Sequence, residues 1–204
     1  MPSTEDILSS LKFVSYQYII IAIAWHVVIY LAFIISAIRK INPTTRLMGF
    51  LISTPMLSVA IISALADNFF NAFIFLLLGS LVFLFGVTSG KAIRVTRINP
   101  VGLIFILCGL LYPHFTDDLK LIFLTAPVGL IPCPTLLLTI GLWIFVGSPS
   151  FKITVTLIIA GLFYGLFGIF RLDVLIDILL IASIIPLCWR LIHKQNQTTL
   201  LQNE

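Results

Sequence analysis

Charged side chains are scarce in this chain. They make up 10% of its 204 residues, where a soluble domain carries roughly 25%. With 60% of the residues hydrophobic, no stretch has the polar surface that a separate soluble domain needs. Cysteine is sparse too. Cys108, Cys133 and Cys188 are isolated, odd in number and form no Cys-x-x-Cys pair. That excludes a disulfide framework and reads as buried apolar thiols. The spacings of strong metal sites, such as HExxH or paired Cys and His, are missing. A basic leader is missing as well. Residues 1–15 are polar and carry Glu5 and Asp6, and the apolar run that follows is too long for a signal peptide. It is expected to stay as a first span. No internal repeat is evident, so the matched halves of many secondary transporters are absent. The net charge of +4 is no nucleic-acid footprint, because the basic residues sit at the ends of apolar runs, where membrane topology accounts for them.

What the chain does have is apolar length. Runs of about 18 or more residues recur, and seven spans are expected at about 16–38, 47–66, 69–88, 100–113, 121–147, 153–170 and 173–192. The expected fold is an all-α integral membrane bundle at 16–192, in contact with the lipid bilayer. An outer segment at 1–15 would precede it, and a polar, disordered tail at 193–204 would follow. The fourth run is short for a bilayer of roughly 30 Å, which asks for about 20 residues. It is kept because the charge pattern needs it. Arg39, Lys40, Arg46, Lys91, Arg94, Arg97, Lys152, Arg190 and Lys194 then share one side with Glu204 alone. The other side holds Lys12, Lys120 and Arg171 against seven acids. Lys and Arg concentrate on the cytoplasmic side, so the N-terminus is expected outside and the C-terminus inside.

Pro132-Cys133-Pro134-Thr135 lies near the middle of the fifth run, after Pro127 and Gly129. Proline removes a donor and clashes with the preceding turn. In hydrocarbon, a broken helix survives only where protein or enclosed water satisfies the freed groups. Helical hydrogen bonding is therefore expected to lapse between Ala126 and Thr135, close to the membrane midplane. The start of the inner half-helix would offer free amides and a partial positive charge to a polar or anionic group. The plainer alternative is a packed kink, with Thr135 and Thr139 bonded to their own backbone.

Other polar residues lie at membrane depth or at the outer edge. His26, beside Trp25, falls within the first span, and ionisable groups there usually face the bundle interior. Asp173 and Asp177 are one turn apart at the outer end of the last span, with Asp173 suited to an N-cap. Tyr112, His114, Asp117 and Asp118 form a compact outer loop. Its histidine and carboxylates, with His26 and Cys133, are the types that hold a divalent metal or exchange protons. A solvated turn is the plainer reading. Gly161, Gly165 and Gly168 form a small face for a close helix neighbour. Three side chains, His26, Cys133 and Asp177, are expected to line one pocket with Tyr112 or His114.

The run Gly129-Leu130-Ile131-Pro132-Cys133-Pro134-Thr135, then Thr139 and Gly141, resembles a motif of the bacterial membrane protein family domain of unknown function 6064. Its members are of similar length and carry Gly-x-x-Pro-Cys/Asp-Pro-Thr in a late span. The early Tyr-Asn…Trp-Pro pattern of that family is not followed, since Gln17 comes after Tyr16 and His26 after Trp25. The resemblance implies a bacterial cytoplasmic membrane location and supplies no activity. An Asp alternative at the Cys133 position implies a polar or metal-coordinating role rather than an obligatory nucleophile.

The leading functional expectation is binding, and translocation, of a small solute or cation through a cavity open to the extracytoplasmic side. A membrane-embedded enzyme acting on a lipid or isoprenoid is the rival, with His26, Asp177 or Asp118 as acid and base. A non-catalytic membrane subunit is the third. A homodimer would supply the half that a lone transporter of this size lacks. No cofactor motif is present.

Overall fold

A computed structural model of the chain describes residues 3–39, 44–89, 99–112, 122–148 and 150–202. Among these it is helical, with no strand. The helices are α1 (Thr4–Gln17), α2 (Ile19–Arg39), α3 (Thr45–Leu65), α4 (Phe69–Ser89), α5 (Pro100–Leu110), α6 (Ile122–Thr125), α7 (Pro132–Phe145), α8 (Phe151–Leu172) and α9 (Ile178–Gln202), with a 3-10 turn (Leu175–Asp177) leading into α9.

Four helices are long and apolar enough to cross a membrane: α3, α4, α8 and the stretch Leu175–Ile192. A fifth is added if α1 and the apolar part of α2 act as one bent span, broken by 68°. The expected count was seven. The shortfall lies in α5 and α7, which at 1.5 Å per residue reach only about 16 and 21 Å.

Three antiparallel pairs build the bundle, and glycine decides how closely each packs. In α3 and α4, Gly49 and Gly86 face each other so closely that a Cβ on either would strike the other's Cα. In α5 and α7, Gly102 meets Phe145, Gly141 meets Ile106 and Gly109 meets Leu138. In α8 and α9, Gly161 faces Ile184, Gly165 faces Ile181 and Gly168 faces Asp177. The glycine face expected on α8 is therefore used. Small residues are what let membrane helices approach this closely.

Burial sorts the elements into layers. Every residue from 126 to 141 is buried, so α7 and the segment before it run through the centre. By contrast, α4 turns Phe70, Phe73, Leu76, Leu77 and Leu84 outward. Exposed apolar surface of that extent fits contact with lipid chains.

Two segments differ from expectation. Residues 4–17 are a helix, started by a capping box in which the Ser3 hydroxyl accepts from the Asp6 amide and the Asp6 side chain accepts from the Ser3 amide. Its Ile7, Leu8, Leu11 and Val14 stripe packs on the core. Thr4 ties it to the end of α8, donating to the Arg171 carbonyl at 3.1 Å and accepting from Arg171 Nη1 at 3.0 Å. The polar tail is also helical, since α9 runs on to Gln202. Lys, Gln and Leu are adequate helix formers, so a helix already nucleated by α9 continues through them.

A buried polar centre beside a broken helix

The chain leaves α6 at Thr125 and starts α7 at Pro132, so helical bonding lapses over 126–131, within the expected window. The break satisfies itself. Val128 N–H donates to the Ala126 carbonyl at 2.7 Å, and Leu130 and Ile131 both donate to the Pro127 carbonyl at 3.3 and 3.1 Å. Gly129 N–H donates to Thr135 Oγ1 at 2.8 Å, while that hydroxyl donates to the Ile131 carbonyl at 2.7 Å. Four consecutive N–H groups thus have acceptors without water. Gly129 adopts φ +75°, and the Trp25 indole occupies the space a Cβ would need there. Only glycine meets both demands.

The prolines act differently from the expectation of an amide-rich anion site. Four amides at the N-terminal end of a helix lack intrahelical partners. Here those positions are Ile131, Pro132, Cys133 and Pro134. Two of them have no N–H, and Ile131 is already bonded to Pro127. Only the Cys133 amide remains. Pro-Cys-Pro therefore lets a helix begin inside an apolar core by deleting donors, and no anion cradle forms.

Helix α2 holds this region in place. Trp25 donates through Nε1 to the Ser58 hydroxyl at 3.1 Å, and Tyr30 donates to the Phe123 carbonyl of α6 at 2.6 Å. His26 is fully buried. Its Nδ1 lies 2.8 Å from the Ala22 carbonyl and its Nε2 3.3 Å from the Leu110 carbonyl, at the end of α5. Both ring nitrogens face backbone oxygens, and the neutral ring can donate to one of them. Through the Leu110 contact His26 sits at the C-terminal end of α5, where a ring N–H can cap a free carbonyl.

Two residues beyond that cap is Tyr112, whose hydroxyl donates to Asp177 Oδ1 at 2.6 Å. The Cys133 thiol borders the same carboxyl, within reach of a weak S–H···O contact whose geometry falls short of a regular hydrogen bond. Asp177 Oδ2 is buried with no hydrogen-bond partner and lies against Gly168, where a Cβ would collide with it. Tyr112 and Asp177 are each 1% exposed. Among the described residues the group is closed to solvent, in a packed centre made by the segment after α5 with α7, α8 and α9. A little further along α8, the Tyr164 hydroxyl donates to Asn71 Oδ1 at 2.9 Å, and its ring belongs to the same core as Cys133.

The expected site residues therefore separate. Tyr112, Cys133 and Asp177 come together. Pro132, Pro134 and Thr135 build the break beneath them. His26 supports the chain that leads to Tyr112. His114, Asp117 and Asp118 lie outside the described residues. Asp173 does not cap the last span. It ends α8 in the left-handed region, φ 57°, with Val174 N–H closing onto the Gly168 carbonyl at 2.9 Å. Short polar side chains tolerate that conformation. From the sequence Gly168 is expected only to pack against a neighbouring helix. Its place opposite Asp177, nine residues on across a reversal, was the available signal for its part in the centre.

No family model, curated protein or solved structure matches this chain.

Proposed function

We propose that this protein is a multi-pass carrier that binds a small cation at Asp177, in an occluded state, and moves it or a coupled solute across the bilayer. The observation that carries the reading is the partnerless Oδ2 of a buried carboxyl at the start of a membrane helix. An orphaned acceptor costs about 1–3 kcal/mol, and an intramembrane acid marks function by default. A bound cation would satisfy that oxygen. Seven crossings, with α5 and the α6–α7 unit counted and the N-terminus outside, belong to the same reading. Antiparallel pairing and the basic residues Arg46, Lys152 and Arg190 at one end support it. So does the likeness to domain of unknown function 6064, which supports a bacterial cytoplasmic membrane.

The test is thermal unfolding of the protein in nanodiscs while H+, Na+, K+, Mg2+, Ca2+ and Zn2+ are varied one at a time. Saturation at about 100 times Kd stabilises by roughly 2.7 kcal/mol. At least one cation is expected to raise the wild-type Tm, and Asp177→Asn to remove that response. An unchanged response in Asp177→Asn would rule the reading out.

A further inference from the structure

We infer that the cation Asp177 takes is a proton, held on Oδ2; this rests on the carrier reading above. The argument is one of space and donors. Oδ1 already accepts from Tyr112 at 2.6 Å. Oδ2 is pressed against the Gly168 backbone so closely that a methyl group does not fit. A magnesium or calcium ion takes six or more oxygens, and zinc takes four ligands.

The groups facing the carboxyl do not supply such a shell. From the segment after α5 comes the Tyr112 hydroxyl, whose proton is committed to Oδ1. From α7 comes the Cys133 thiol, while the hydroxyls of Thr135 and Thr139 on the same helix are engaged with Gly129, Ile131 and Leu136. From α8 comes Gly168, with Tyr164 beyond it bonded to Asn71 and Arg171 reaching Thr4. On α9, Ser183 donates to the Leu180 carbonyl at 2.6 Å. Among the described residues no three His, Cys, Asp or Glu side chains stand close enough to share a metal. A proton needs no such shell, and it removes the charge of a buried carboxylate, which costs far more to bury than the neutral acid. Uptake forms one O–H bond on Oδ2 and converts carboxylate to carboxylic acid, with the Tyr112 hydrogen bond to Oδ1 kept. Release breaks that O–H bond and restores the carboxylate. Tyr112 is a positioning residue here, since it fixes which oxygen stays free.

Infrared difference spectroscopy on the full chain in nanodiscs reads this directly. A carbonyl band of a protonated carboxylic acid is expected in the wild type. It should vanish on alkaline titration, shift in heavy water, and shift again when aspartate is labelled with carbon-13. The last two readouts need no variant. Asp177→Asn should lose the band, Asp177→Glu should move it, and Tyr112→Phe should move it without abolishing it, because the bond at Oδ1 is gone. No aspartate-sensitive carboxylic acid band at any pH would overturn the inference. If a metal cation at fixed pH raises the Tm and Asp177→Asn abolishes that rise, the proton assignment falls while the carrier reading stands. If neither acid nor metal acts through Asp177, both fall.

Discussion

Two polar features are buried within the same core, and they are treated in opposite ways. At 126–131 the chain abandons helical bonding in an apolar interior, yet each N–H from Val128 to Ile131 finds an acceptor. At Asp177 a 3-10 turn leading into α9 delivers one side-chain oxygen with no partner. The first is what burial demands of any stable structure. The second runs against that demand, and burial does not explain it. The difference fits an architectural role for the break, and it is the reason the proposed cation site is placed at Asp177. Without the partnerless oxygen, Pro-Cys-Pro would be the more conspicuous candidate for chemistry.

Substitutions sharpen this contrast. Gly129→Ala should have the largest effect. It forces a Cβ into the left-handed region and onto the Trp25 indole, for a loss of about 3 kcal/mol in reversible unfolding or a failure to fold. Gly168→Ala should cost about 2 kcal/mol by driving a methyl into Asp177. Adding Asp177→Ala should recover most of that, a non-additivity expected of residues in contact. Thr135→Val should cost about 1–2 kcal/mol, because the Gly129 amide loses its acceptor. Cys133→Ser should shift stability by less than about 1 kcal/mol. An equal penalty for Cys133→Ser and Thr135→Val would erase the distinction drawn between the two features.

The position of the break was legible, because proline and glycine act locally and cluster between Pro127 and Pro134. Most apolar runs were legible for a similar reason, and they reappear as helices within a few residues. What the prolines do was not legible. Whether a helix start offers amides to a ligand or hides them depends on which of its first four residues lack N–H, and so on where the helix begins. The partners of His26 were also hidden, since they are backbone carbonyls of Ala22 and Leu110 set by tertiary packing. The N-terminal helix had a local signal in Ser3 and Asp6, spaced as a capping box, but its polar composition drew attention away from that signal. Tyr112 and Asp177 were both candidates. Their meeting at one pocket was among the expectations; the direct hydrogen bond to Oδ1, across 65 residues, needed the fold.

The most direct measurement is the stability of the double variant Tyr112→Phe/Asp177→Leu beside the wild type. Leucine keeps the branching of aspartate, and removing both partners of a buried polar pair leaves neither one orphaned. If Asp177 is kept for function at a cost to folding, the double variant should unfold at or above the wild-type temperature and should no longer respond to acid or added cations. A loss of more than about 2 kcal/mol, comparable to that of a substitution in the break, would mean that the carboxyl is structural and would contradict the account.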